Sequence, residues 1–175
     1  AGPVYACAII MKKDSHIPGV TDSKQLTDKK RRELFNQIID ECIAYKVIAI
    51  DNKKIDEINI LEASRLAMEK AVKGLSVKPD YILTDAMKLH TKIPFMELIK
   101  GDERSYTIGC ASIIAKVTRD DVMIELAKKY PGYDWEKNKG YPTPAHKKAL
   151  YVHGITKLHR VTYDPVRIYL ESLNK

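Results

Sequence analysis

Apolar residues in this chain fall in short clusters separated by polar, glycine- and proline-bearing stretches. Val4 to Met11 is an almost continuous apolar run, long enough for a strand buried on both faces and too short for a typical helix. Lys12 to Gly19 contains Asp, Ser, Pro and Gly and reads as a loop. Thr27 is placed as an N-cap, with Asp28 in the first turn of a helix running to about Tyr45 and turning Leu34, Ile38 and Ile39 toward a core. Further strands are predicted at Val47 to Asp51, Tyr81 to Thr84 and Glu97 to Lys100. Further helices are predicted from Asp56 to near Gly74, from about Ile108 to Tyr130, from about Ala145 to His153, and after Pro165. Tyr130 to Pro144, rich in Tyr, Gly and Pro, is predicted to be irregular. Strands alternating with helices, with no repeat or linker, predict a single domain over residues 1–175 of α/β type with a mixed sheet.

Composition narrows this picture. At 175 residues and 45% hydrophobic content the chain can bury a substantial core, which argues against disorder. No apolar run approaches the roughly 20 residues of a membrane span. The start, Ala-Gly-Pro-Val, has neither an initiator Met nor the features of a signal peptide, and the chain is read as processed or truncated. Lys and Arg exceed Asp and Glu by 30 to 23, a net charge of +7 that favours a polyanionic partner. The three cysteines, Cys7, Cys42 and Cys110, are far apart and form no C-x-x-C pair. They read as small core residues in a reducing cytoplasm.

Two carboxylates stand out by position. Asp85 ends the apolar run Tyr81 to Thr84, and Asp102 follows Ile99-Lys100-Gly101, where the glycine would let the backbone turn. Two Asp residues at adjacent strand ends suit Mg²⁺, which prefers hard oxygen ligands and keeps several waters. A capping or solvated Asp is the simpler reading of each. Tyr141, between Gly140 and Pro142 and near lysines, could stack on a base or sugar; packing of a loop is the commoner role. Ser23 and Lys24 offer a hydroxyl and an ammonium suited to phosphate, or form a plain turn. Lys29, Lys30, Arg31 and Arg32 crowd a helix N-terminus, where positive charge is unfavourable unless a phosphate offsets it; a solvated basic turn is the alternative. Ser112 and Lys116 share a helix face, and Asp120 reads as a helix-surface or ion-pairing residue. The five histidines show no metal-ligand spacing, and no nucleophile-elbow, Walker or dinucleotide glycine motif occurs.

Taken in order, Ala1-Gly-Pro-Val4, Asp22-Ser-Lys24, Ile55-Asp-Glu-Ile-Asn-Ile60, Ile99-Lys-Gly-Asp102, Ala111 to Asp120, Tyr130-Pro-Gly-Tyr133, Lys139-Gly-Tyr141 and His159-Arg160 resemble the motif series of bacterial ribonuclease HII, a type 2 ribonuclease H. The resemblance implies a ribonuclease H-like mixed sheet flanked by helices, with a helical C-terminal part. It implies a monomeric endonuclease that cuts the RNA strand of RNA–DNA hybrids, or ribonucleotides embedded in DNA duplexes, leaving 3′-hydroxyl and 5′-phosphate ends. Four carboxylates would hold two divalent ions, Mg²⁺ or Mn²⁺; Asp85 matches the third and Asp102 the fourth. Tyr141 matches the tyrosine that stacks near the RNA–DNA junction. Ser23, Lys24, Ser112 and Lys116 match motifs lying near the substrate backbone, and Arg119 and Asp120 match a motif of supporting role.

One departure is large. The family places an Asp-Glu pair and a Gly-Arg-Gly stretch on and just after a first central strand, ahead of Ala-Gly-Pro-Val. None of this occurs in these 175 residues. They alone are therefore expected to be catalytically inactive and poorly folded, since neighbours of a missing strand keep unpaired backbone groups. Two alternatives remain open on the residues: a non-catalytic hybrid-binding remnant, and another two-metal nuclease of the same fold, which would share Asp85 and Asp102 without needing Tyr141.

Overall fold

Residues 1–174 are described by a computed structural model. The first apolar run forms β1 (Val4–Met11). Thr27 caps α1 (Asp28–Glu41), its side chain accepting from the Lys30 N–H, and Leu34 and Ile38 are buried as the pattern predicts. The helix does not reach Tyr45. Cys42 is already extended, and β2 runs Cys42–Ile50, absorbing the strand predicted from Val47. The reason lies in Ile43, Ala44 and Tyr45, which alternate out, in and out as a pleated strand requires.

Helix α2 (Asn52–Lys73) starts four residues before the predicted Asp56 and contains a break at Asn59, where φ is 66°. The Asn59 Oδ1 accepts from the N–H groups of Leu61 and Glu62, so this residue caps the helix that continues beyond it. Strand β3 (Ile82–Asp85) pairs in parallel with β4 (Phe95–Leu98), which lies two residues earlier than the predicted strand at Glu97 to Lys100. The short helix α3 (Gly101–Arg104) follows, and then the long α4 (Tyr106–Lys129). The stretch predicted as irregular contains a further turn of helix, α5 (Trp135–Asn138). Thr143 caps α6 (Pro144–His153), and α7 (Val166–Ser172) closes the described chain.

Among the described residues the strands form two separate pairs, β1 with β2 and β3 with β4. Leu83 and Met96 are register partners, and both are exposed, at 41% and 49%. No helix among the described residues is long and apolar enough to cross a membrane.

The chain divides into two compact units. One comprises Tyr5–Ala49 and Ser64–Thr118. Its core joins Leu34 and Ile38 of α1 to Cys110, Ile113, Ile114 and Val117 of α4 and to Ile17, with Cys7 and Ile9 of β1 against it. The other comprises Ala1–Val4, Ile50–Ala63 and the residues from Arg119 on. There Met123, Tyr133, Trp135, Ala149, Leu150 and Val166 form the core, with the Tyr133 and Trp135 rings stacked at 5.2 Å.

Candidate active site

In the sheet-bearing unit Asp85 is the last residue of β3 and is opposite Leu98 in the parallel register. Beyond β4 the chain turns at Lys100, not at Gly101: Lys100 is left-handed (φ 55°), while Gly101 begins α3. The glycine has a different task from the turn predicted for it. Its N–H donates to Asp85 Oδ1 at 2.8 Å. A Cβ at this position would come within 3.2 Å of the Asp85 Cα and 2.7 Å of the Ile108 Cδ1. The missing side chain thus lets the start of α3 lie against the end of β3, which brings Asp102 beside Asp85.

Asp102 is buried, with 8% of its surface exposed. Its carboxyl is held above the ordinary carboxylate range, first by burial, then by the charges of Asp85 and Asp22, and further by a hydrogen bond with Asp22; Lys24 opposes the shift. Asp22 is a third carboxylate at this place, and sequence reasoning passed it over in favour of its neighbours Ser23 and Lys24. Its motif was visible, but a loop Asp before a helix reads as a turn former. It does form one, accepting from the Lys24 N–H at 2.9 Å.

The remaining predicted residues of this unit have defined settings. Ser23 is buried and its hydroxyl shares a hydrogen bond of 2.8 Å with the hydroxyl of Ser112 on α4. Lys24 is exposed, while Lys116 is half-buried. Of the basic cluster opening α1, Arg31 braces the preceding loop by donating to the carbonyls of Ser23 and Leu26. Arg32 pairs with Asp28 at 2.9 Å and Lys30 with Glu33 at 3.6 Å. Part of that cluster is therefore structural.

The helical unit carries Arg119, Asp120 and Tyr141. Tyr141 follows Lys139 and Gly140, both at positive φ (51° and 81°). The residue is 55% exposed, and the Arg119 guanidinium lies over its ring, 5.0 Å from the ring centre. Arg119 also donates to the Lys139 carbonyl at 2.9 Å, so one side chain holds both the ring and the backbone leading to it. Asp120 is not a surface residue: it is 2% exposed, with the Arg119 Nη1 3.8 Å from its Oδ1.

The family model for Ribonuclease HII matches residues 1–166. The chain belongs to the ribonuclease HII family. Ribonuclease HII of Ligilactobacillus salivarius (strain UCC118) is 48% identical over 167 residues, a match covering 95% of this chain and 66% of that relative. The chain thus spans about two thirds of the length of this curated relative of the family. The crystal structure of the ribonuclease H2 from Pyrococcus horikoshii OT3 superposes with a TM-score of 0.80 at 29% identity, covering 99% of this chain and 94% of that one. A crystal structure of a mutant Bst-RNase HIII gives a TM-score of 0.70 at 17% identity over 99% of this chain and 66% of that one, a likeness of fold alone. The ribonuclease H-like α/β fold of ribonuclease HII expected from the sequence is the fold found.

Whether the carboxylates suit a divalent ion can be judged from their surroundings. Asp85, Asp102 and Asp22 set like charges against one another around a buried carboxyl, which a cation would relieve. Among the described residues, no group of three or more carboxylate, histidine or cysteine side chains is arranged to hold a metal ion by itself. Two carboxylates fit an ion such as Mg²⁺ that keeps several waters or draws further ligands from elsewhere.

Proposed function

We propose that the protein is a divalent-metal-dependent endonuclease that hydrolyses the RNA strand of RNA–DNA hybrids and cuts at ribonucleotides embedded in DNA, leaving 3′-hydroxyl and 5′-phosphate ends. The observation that carries this reading is the fastening of Asp85 to the residue preceding Asp102, in a chain of the ribonuclease HII family. Asp85 and Asp102 would be the metal ligands, with Asp22 adding negative potential beside them. Bound Mg²⁺ or Mn²⁺ would supply an activated water and charge stabilisation for displacement at phosphorus.

The chain's own residues have separate tasks in this reading. Tyr141 stacks at the RNA–DNA junction on a ring held from one side by Arg119. Lys24 and Lys116 neutralise substrate phosphates, in keeping with the +7 net charge. Ser23 and Ser112, joined to each other, hold the loop carrying Lys24 on α4. Arg119 and Asp120 support Tyr141 and take no part in the chemistry. The protein works as a monomer, in a reducing cytoplasm where Cys7, Cys42 and Cys110 stay as free thiols.

The test uses a 5′-labelled RNA–DNA hybrid and a DNA duplex with one ribonucleotide. Residues 1–175 alone do not cut the hybrid. Joined to a preceding segment bearing the family's Asp-Glu and Gly-Arg-Gly, they cut both substrates in Mg²⁺ or Mn²⁺, and Asp85→Asn or Asp102→Asn abolishes cutting. Efficient cleavage by residues 1–175 alone, or by either Asn variant of the joined chain, would sink the assignment of the metal ligands. Hybrid binding with no cleavage by the joined chain would favour a binding remnant.

A further inference from the structure

The helical unit contains a buried polar chain whose protons can be assigned. The Thr156 N–H donates to His159 Nδ1 at 2.9 Å. That nitrogen is therefore an acceptor, and the neutral ring carries its proton on Nε2. His159 Nε2 lies 3.1 Å from His146 Nε2. The indole Nε1 of Trp135, which can only donate, also lies 3.1 Å from His146 Nε2. His146 Nε2 is thus the acceptor, its one lone pair shared by both neighbours in a three-centre bond, and its own proton is on Nδ1. That Nδ1 is 2.9 Å from the carbonyl oxygen of Tyr141. Trp135, His146 and His159 are 0%, 5% and 2% exposed, so water does not compete for these bonds.

The last acceptor is the informative one. Tyr141 stands in a segment with no ladder or helix to fix it, after two residues at positive φ. Its carbonyl takes one bond from the Thr143 N–H at 2.8 Å and the other from His146. Thr143 caps α6, and its Oγ1 accepts from the His146 N–H. The half-exposed ring is therefore fixed at its base by a buried network and steadied over its face by Arg119.

We propose that His146 is a positioning residue for Tyr141: the Trp135–His146–His159 network, read out through the Tyr141 carbonyl, sets the direction in which the ring meets substrate. The proposal rests on the reading that Tyr141 stacks on the hybrid. His146 touches no substrate and moves no proton in the reaction.

Two near-isosteric variants separate this role from a merely structural one. In His146→Asn the side-chain NH₂ sits near the place of Nδ1–H and can still donate to Tyr141, but the acceptor for Trp135 and His159 is gone. In His146→Gln the amide falls near Nε2, so the core arm survives and the link to Tyr141 is cut. His146→Asn should be the less stable protein, yet it should bind an RNA–DNA hybrid nearly as well as the parent. His146→Gln should be the more stable, yet it should lose about 3- to 10-fold in hybrid affinity, the net worth of one hydrogen bond. In a Tyr141→Ala background the Gln change should cost nothing further. Affinity that follows stability across the two variants, or a Gln effect undiminished without the Tyr141 ring, overturns the proposal.

Should Tyr141→Ala itself leave hybrid binding unchanged, the stacking reading fails, and the network is judged on NMR signals. His146→Gln should displace the Tyr141 ring resonances and His146→Asn should not. Long-range ¹H–¹⁵N spectra of the unmutated protein should show His146 protonated on Nδ1 and His159 on Nε2. Unmoved Tyr141 signals in the Gln variant, or the opposite tautomers, would overturn the inference without any variant needing to be active.

Discussion

The backbone N–H of Gly101 donates to Oδ1 of Asp85 across 2.8 Å, so the residue preceding Asp102 is fastened to Asp85 itself. The two carboxylates are coupled through one glycine. Gly101→Ala would press a methyl group against the Asp85 Cα at 3.2 Å, and that backbone cannot give without moving Asp85. The crowding should cost about 1–3 kcal/mol in stability. It should also weaken Mn²⁺ binding, read by calorimetry on the joined chain used to test the proposed function. Unchanged metal affinity would show that the spacing of Asp85 and Asp102 does not depend on Gly101.

Asp102 is a buried carboxyl facing Asp85 and Asp22, a set of like charges that works against stability. Asp102→Asn keeps the shape and removes one of those charges. In the joined chain it should abolish cleavage while raising the denaturant midpoint of the metal-free protein, by about 1 kcal/mol in stability, within the range common for such changes. A lowered midpoint would mean that Asp102 is held by favourable partners and not by function.

Acid should weaken the helical unit through its histidines. His159 is held down to about 4 by burial, then by His146 and the α-amino group of Ala1, whereas an unfolded histidine titrates near 6.5. Above 6.5 the ring is neutral in both states and contributes no pH dependence. As the pH falls from about 6.5 to about 4, the unfolded chain takes up the proton and the folded chain does not, so stability is lost progressively over that window. His146, pushed down chiefly by burial, acts in the same direction. Urea titrations over this range should show the loss, and His159→Gln should reduce its slope. An unchanged slope would place the acid sensitivity elsewhere.

Tyr141 offers its ring to solvent, so removing it should hardly affect folding. Tyr141→Ala should weaken hybrid binding by the value of one stacked base, about 1–3 kcal/mol. Tyr141→Phe, which keeps the ring face, should retain most of the affinity. If the Phe variant binds as poorly as Ala, the hydroxyl and not the stacking face is what matters.

Cys7 and Cys110 should resist thiol reagents in the folded protein. Burial pushes the Cys7 thiol up to about 12 and the Cys110 thiol to about 11, leaving almost no thiolate near neutral pH. Mass spectrometry after brief iodoacetamide treatment at pH 8 should find both unmodified until denaturant is added. Rapid labelling of Cys7 in buffer would mean that β1 opens readily, and that the core around Leu34 and Ile38 is looser than its burial implies.

The sequence alone determined a good deal of this protein. Apolar runs located β1 and β3, the Thr27 cap fixed the start of α1, and the ordered motifs named the family and singled out Asp85, Asp102 and Tyr141. These signals are local in the chain, and local preference or a fixed motif is enough to carry them. Tertiary structure decided the rest. It ended α1 at Glu41 because residues 43–45 alternate as a strand, and it moved the turn before Asp102 from Gly101 to Lys100. It buried Asp120, added Asp22 to the carboxylates, and joined Trp135, His146 and His159 beneath Tyr141. Each of those facts is an encounter between side chains distant in sequence or a choice between two allowed backbone shapes. Burial and hydrogen-bond pairing settle such choices only once the chain has closed on itself.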